Sequence, residues 1–397
     1  MKKLNTCFLL VILLVACPVL AQEEFVEAPS QTITSFEFRQ VTGGVIIFKA
    51  LFDNSPDTLQ FILDTGSSGI SLDSTTAAAL GQKPEPSERT IRGIAGIRRV
   101  GFLYNRKLRL PGLTVDSLNF HVNDYSMLSI VYGEQVDGIV GYSLLSRYIL
   151  KINYDKNILE ICSRGTLKYP NGGFLIKPSL NTLPVHIARI KDDHAVTARF
   201  LHDIGAGVCL MLSKEFANDS TILHKKRKPL PKEGEGVGGS IRMGVTVVKE
   251  LKIGPYRFRN VPTYIFDDDY NVTSYPQLGG LIGNDIFRRF NVIFNYAKRD
   301  IHLLPNSHFR DPFDYSYSGL EIYFMEGKIV AGDVSARSPA DLAGMKEGDE
   351  IVAINNDFTQ NFHRYKTALQ AAKTKIRIIA RRDDKLIQFD FKIKSIM

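Results

Sequence analysis

Short apolar runs, cut at close intervals by Gly, Pro, Asn and Asp, fill most of the chain. Stretches such as RKLRLPGLTVDSLNFHV (residues 106–122) and TVVKELKIGPYRFRNVPTYIF (246–266) alternate apolar and polar positions around a glycine turn. That period of two buries one face of a strand and leaves the other to solvent. Long runs with helical periodicity are few, so the pattern predicts a mostly β protein. One strand ends unusually. In FILDTGSSGISL (61–72) an acid, Asp64, directly follows three apolar residues and opens a tight polar turn. A carboxylate there is costly to desolvate unless it is hydrogen-bonded or has a partner.

The partner is sought in a repeat. VDGIVGYSLLSRYILKINYDKNILEI (136–161) and GGLIGNDIFRRFNVIFNYAKRDIHLL (279–304) share an apolar-apolar-Gly unit followed by a matching NY-containing strand. The turn is duplicated with them: ARFLHDIGAGVCLML (198–212) places Asp203-Ile204-Gly205-Ala206-Gly207 after another apolar strand. Asp64 precedes Gly141 by 77 residues and Asp203 precedes Gly283 by 80, so the two registers agree. Each half also carries a glycine-rich turn between these landmarks, IRGIAGI (91–97) and GEGVGGSI (234–241).

Two β lobes that each offer one Asp from a strand-end turn resemble the aspartic proteases. The short lobes and the GIAG and GVGG turns are most similar to retropepsins, with both halves fused in one chain as in bacterial exported aspartyl proteases of that type. The resemblance spans about residues 35–306 and implies a bilobal acid-protease fold, with lobes over 35–165 and 174–306. It implies Asp64 and Asp203 as the catalytic pair, supported by Thr65, Gly66, Ser67 and Gly205. It also implies an endopeptidase that cuts extended peptides or unfolded protein with carboxylate-activated water, needing neither metal nor cofactor. Two carboxylates within about 3 Å repel by roughly 5 kcal/mol at an effective dielectric near 20, so one proton is shared. Both acids lie in one chain, so a monomer suffices.

Gly93, Ile94, Ala95 and Gly96, with Gly236, Val237, Gly238 and Gly239, are expected to form flaps over a peptide. The family's hydroxyl after each Asp is kept at Thr65 but replaced by Ile204, and Ser67, expected to bond Asp64, is matched by Ala206. Asp203 is therefore expected to be the less buttressed acid, with the higher pKa. Thr65 is expected to bond main chain of the other lobe near Phe200–His202. His202 is expected to face away from Asp203, because neighbours on a strand alternate. The missing hydroxyls also leave an alternative: a non-catalytic peptide-binding protein on a degenerate protease scaffold.

After PNSHFRDPFD (305–314), a polar, proline-bearing linker, the pattern changes. SPADLAGMKEGDEIVAIN predicts a small helix, a Gly-Asp turn and a strand; a helical stretch and two strands follow. Residues 316–397 resemble a PDZ domain, with Ser318, Gly319, Leu320, Glu321 and Ile322 matching the carboxylate-binding loop. The resemblance implies that strand 321–326 pairs with a peptide C-terminus. A PDZ fold that merely packs on the lobes is the plainer alternative.

Composition changes this picture little. The net charge of +8 is modest for 397 residues, and basic runs such as Lys225–Lys228 are offset by Asp267–Asp269, so no nucleic-acid surface is indicated. Lys2-Lys3 and the apolar run CFLLVILLVA predict a signal peptide over residues 1–21, and hence export to the periplasm or cell envelope. Leu14-Val15-Ala16-Cys17 offers a competing lipobox that would leave Cys17 lipidated. Cys162 and Cys209 read as buried thiols, with a disulfide between them as the alternative, and no Cys/His spacing indicates zinc.

Overall fold

The computed structural model describes residues 26–397; the signal-like segment 1–21 and Cys17 lie outside the described residues. The sequence repeat is a structural one. In the first repeat the strand Thr58–Leu63 delivers Asp64 and runs parallel to Gly138–Val140, with Leu63 opposite Val140. Gly138–Val140 also pairs antiparallel with Ile70–Asp73, which runs parallel to the end of Leu113–Asn123. In the second repeat Ala195–Asp203 runs parallel to Gly280–Gly283. Leu210–Ser213 pairs antiparallel with Gly280–Gly283 and parallel with Tyr256–Phe266. Even the helix after each aspartate loop starts alike: Asp73 caps Ser74–Ala79 and Ser213 caps Lys214–Asp219 through side-chain acceptors.

The repeats are joined by their own last hairpins. Ile149–Asn153 pairs antiparallel with Phe290–Asn295, Ile149 opposite Asn295 and Ile152 opposite Val292. A continuous sheet under both lobes results, running from Phe174–Ile176 through the two hairpins to Thr32–Gln40. One apolar core fills both lobes, containing Phe61, Leu63, Val140 and Leu144 from the first and Phe200, Ile204, Ile282 and Phe287 from the second. Such a shared core fixes the lobes to each other, and with them the aspartate loops.

The segment 305–314, expected as a linker, is pinned. Phe309 packs on Phe258 and Phe290 at ring distances of 5.5 and 5.4 Å. Arg289, 1% exposed, lies 4.0 Å over the Phe313 ring and donates to the Asp311 carbonyl at 2.5 Å. A polar sequence concealed two aromatic anchors. Beyond it, five strands pair in the order Leu320–Met325, Lys328–Val334, Glu350–Ile354, Lys375–Arg382, Lys385–Lys392. The helices Pro339–Leu342, capped by Ser338, and Phe362–Leu369, capped by Asn361, cover a separate core around Ile329, Ile351, Tyr365 and Ile378. Mostly β lobes followed by a PDZ-type sheet agree with the pattern read along the chain. Cys162 and Cys209 are both buried and unbridged.

Candidate active site

Asp64 and Asp203 meet where the two lobes face each other. A Cβ added at Gly66 would lie 2.5 Å from Asp203 Oδ2, and one at Gly205 would lie 2.4 Å from Asp64 Cγ. Each loop's glycine therefore makes room for the other loop's carboxylate, and any larger residue would wedge the pair apart. The Gly66 amide donates to Asp64 Oδ1 at 2.6 Å. The Gly205 and Ala206 amides donate to Asp203 Oδ1 at 2.8 and 3.1 Å. Gly141 and Gly283 seat these loops: a Cβ at Gly141 would fall 2.3 Å from the Ser67 carbonyl oxygen, and one at Gly283 2.7 Å from that of Ala206.

The hydroxyl of Thr65 crosses between the lobes. It donates to the His202 carbonyl at 2.7 Å and accepts from the Ile204 amide at 3.0 Å, and the residue is 1% exposed. With no hydroxyl at Ile204, main chain is the partner left to it. Ile204 itself is wholly buried in the shared core. Ser67 departs from expectation: its hydroxyl accepts weakly from the Gly69 amide at 3.5 Å, and what it offers Asp64 is its backbone N–H. The loop turns its peptide groups, not its side chains, toward the acid. His202 points into the opposite side, fully buried, with its ring 4.9 Å from Phe287. Burial lowers its pKa to about 3, so it is a neutral packing residue.

Each carboxylate keeps an opening to the cleft but is otherwise enclosed, and this burial raises both pKa values. Asp64 is raised the further, by burial first and then by the charge of Asp203 and the hydrogen bond between the two acids. The Asp64 hydrogen bond and the amides of Gly205 and Ala206 restrain the rise at Asp203. Asp203 is thus not the less buttressed acid: without side-chain hydroxyls at Ile204 and Ala206 it still receives two backbone amides, as Asp64 does from Gly66 and Ser67.

Both glycine turns form hairpins, Thr90–Gly93 with Gly96–Arg99 and Leu230–Gly236 with Gly239–Ile253, and their tips interlock. A Cβ at Gly93 would meet the Val237 carbonyl oxygen at 1.9 Å, and one at Gly236 would meet Ile94 Cγ1 at 2.6 Å. Gly238, at φ +110°, lies against the Ala95–Gly96 peptide, and its carbonyl accepts from Arg98 at 2.9 Å. Gly239, at φ +130°, completes a turn that side chains other than glycine's rarely adopt. The tips trade lobes: Ile94 packs with Leu201, Met211 and Leu281 of the second repeat, and Val237 with Val45, Ile62 and Ile139 of the first.

Sequence reasoning missed two phenols. Tyr132, from the helix Ser126–Tyr132, and Tyr296 are both raised in pKa by burial and by the charges of Asp64 and Asp203. Tyr296 belongs to the repeated NY strand and was findable there, whereas nothing periodic marks Tyr132.

The segment Ser318–Ile322 takes the expected place at the start of the edge strand, with Gly319 at φ +70° where a Cβ would fall 2.0 Å from that of Ser338. Two features differ from an open peptide site. The Leu320 amide already donates to Ser318 Oγ at 3.1 Å, and Glu321 pairs with Lys232 at 3.0 Å. The edge strand Leu320–Met325 is also not free along its length, since the helix Ser126–Tyr132 of the first repeat lies beside it.

An aspartyl protease family model matches the chain twice, at residues 49–144 and 187–286, and a PDZ domain model matches residues 330–382. The chain belongs to the retropepsin-like aspartyl protease family, as a two-repeat member with a C-terminal PDZ domain. No curated protein matches it.

Proposed function

We propose that this protein is an aspartic endopeptidase of the cell envelope that cuts extended segments of peptide or unfolded protein, and that its PDZ domain binds a peptide C-terminus. The observation that carries the reading is the reciprocal approach of the two carboxylates through Gly66 and Gly205 beneath interlocked flaps. A pure binding cleft has no use for two buried acids sharing a proton. In the reaction, Asp203 takes a proton from water while the water oxygen bonds to the scissile carbonyl carbon. Asp64 gives its proton to the carbonyl oxygen, forming a neutral gem-diol. Collapse breaks the C–N bond: the amine nitrogen receives the proton from Asp203, and the hydroxyl returns its proton to Asp64. Flap backbone would pair with the substrate main chain as an added strand. The envelope location rests on residues 1–21 alone, and Cys17 offers a lipid anchor if the lipobox is used.

Quenched fluorogenic peptides incubated with the mature chain test this reading. Cleavage is expected in the parent and absent from both Asp64→Asn and Asp203→Asn, each with an unchanged fold by circular dichroism. The missing hydroxyls at Ile204 and Ala206 favour a second reading, peptide binding without cleavage. Under it all three proteins would bind the peptides equally and cut none.

A further inference from the structure

The PDZ domain holds both the second flap and the helix that packs on its tip. Its edge strand and the residues just before it grip the flap strand Leu230–Gly236 at three points. These are the Glu321–Lys232 pair at 3.0 Å, Tyr323 Oη donating to Glu235 at 3.2 Å, and Tyr317 Oη donating to the Pro231 carbonyl at 2.9 Å. The second element is the helix Ser126–Tyr132, whose C-terminal end enters the mouth of the groove between the edge strand and Phe362–Leu369. Lys366 Nζ donates to the Val131 carbonyl at 2.6 Å, and His363 Nε2 lies 3.3 Å from Glu134 Oε1. Gly133 ends the helix at φ +65°, so close that a Cβ would lie 2.3 Å from Phe362 Cδ1.

The same helix supports the flap. Leu128 and Tyr132 pack in one apolar cluster with Val237, the tip residue of the second flap. One seven-residue helix therefore connects the PDZ groove to the flap tip and, through Tyr132, to the aspartates. The other end of the groove is open: Ser318–Ile322 and Leu369 line a cavity of about 690 Å³ that reaches Gly207 and Val208 beside the second aspartate loop. A peptide with its carboxylate at that loop, paired along Leu320–Met325, would need the space that Val131–Glu134 fills.

We propose that the PDZ groove is a ligand-released clamp. The chain's own residues 131–134 occupy it as an internal competitor, and a peptide with a free carboxylate and an aliphatic last residue, suited to Leu320, Ile322 and Leu369, displaces them and loosens the flap. The proposal rests on the reading that this domain takes peptide C-termini, but not on cleavage.

Amide hydrogen exchange on the full chain carrying Asp64→Asn tests it, with an unstructured decapeptide ending in valine as the probe and its C-terminal amide as the control. The free acid is expected to protect residues 320–325 and to speed exchange about tenfold in 126–134 and 230–241, the change that loss of one charge-assisted hydrogen bond brings. The amide is expected to do neither. Protection at 320–325 with no change in 126–134 would overturn the clamp while leaving the peptide-binding reading intact. No protection at millimolar peptide would overturn both. Lys366→Met, which removes the bond to Val131, is expected to tighten decapeptide binding about tenfold by weakening the competitor. Unchanged or weaker binding would show that residues 131–134 do not compete.

Discussion

The two aspartate loops have the same path and different chemistry. Asp64-Thr65-Gly66-Ser67 and Asp203-Ile204-Gly205-Ala206 are held by equivalent strand pairings, and each glycine admits the opposite carboxylate. Only the first loop brings a hydroxyl across the interface, and the second answers with main chain and a buried isoleucine. The difference teaches that the geometry of the pair depends on the glycines and the shared core, which both repeats retain. The hydroxyls are a refinement that one repeat has done without. A second asymmetry lies above the site. The first repeat inserts the helix Ser126–Tyr132 before its Gly138–Val140 strand, while the second spans the matching stretch without a helix. That helix packs against the PDZ domain's edge strand.

The sharpest way to break the comparison is to remove either acid. If the repeats contribute equally, Asp64→Asn and Asp203→Asn each lower kcat by about a thousandfold or more, the scale of positioned acid–base catalysis. An active Asp203→Asn enzyme would make the second loop a mere relic. Next come the glycines. Gly66→Ala and Gly205→Ala each force a methyl into the facing carboxylate, and an ångström of displacement costs about a hundredfold in kcat. Peptide turnover by the two variants should fall alike, because their obstructions, at 2.5 and 2.4 Å, are alike.

The pH dependence separates the acids from their surroundings. Cleavage needs one proton on the pair, so its rate is expected to trace a bell on the acid side of neutrality. For stability the sign follows from linkage. Both carboxyls are raised above the ordinary 3.8, so the folded chain binds more protons than the unfolded chain once the pH passes 3.8. Stability contributed by the protonated pair is full below that pH and is lost as the pH rises through the folded values. Thermal melting of Asp64→Asn should accordingly decline less than the parent's from pH 4 upward. Asp333, at the PDZ face of the flap contact, is pushed up to about 6 by burial and by Glu233. Asp333→Asn should remove a loss of stability between about pH 4 and 6 that the parent shows.

The smallest effects fall on the hydroxyls. Thr65→Val leaves the His202 carbonyl and the Ile204 amide without their buried partner, at about 1–3 kcal/mol. About a tenfold loss in kcat is expected, exceeding what its change in melting temperature would imply for the folded fraction. Ile204→Thr restores the symmetric hydroxyl at the expense of two buried aliphatic carbons, worth about 1.5–2 kcal/mol. It should change kcat less than threefold. Equal kinetics for Thr65→Val and the parent would show that neither repeat needs the brace.

The β class, the duplication and the aspartate turns were readable because each is a local pattern: alternation, a strand-end acid, a glycine at a fixed interval. Thr65's partner was readable too, since removing a hydroxyl at Ile204 leaves main chain as the alternative. The buttressing of Asp203 was not, because which amides converge on a carboxylate is settled only by folding. Nor was the role of Ser67, whose orientation is set by the turn, or the anchoring of 305–314, where Phe309 and Phe313 find their partners only in the folded second lobe.

The sequence by itself determined that this chain folds as two like β halves, that each half ends a strand on an acid beside a glycine, and that a PDZ-type module follows. These are properties of residue type and spacing within a few dozen positions. Only the tertiary structure decided that the flap tips cross into each other's lobes, that each loop's glycine admits the other loop's carboxylate, and that the end of the helix Ser126–Tyr132 enters the PDZ groove. Those outcomes come from contacts between residues up to 235 positions apart, as between Lys366 and Val131. Which surfaces meet at that range is set by packing the shared core and the pinned aromatic linker, a sum over many small contacts that no local motif encodes.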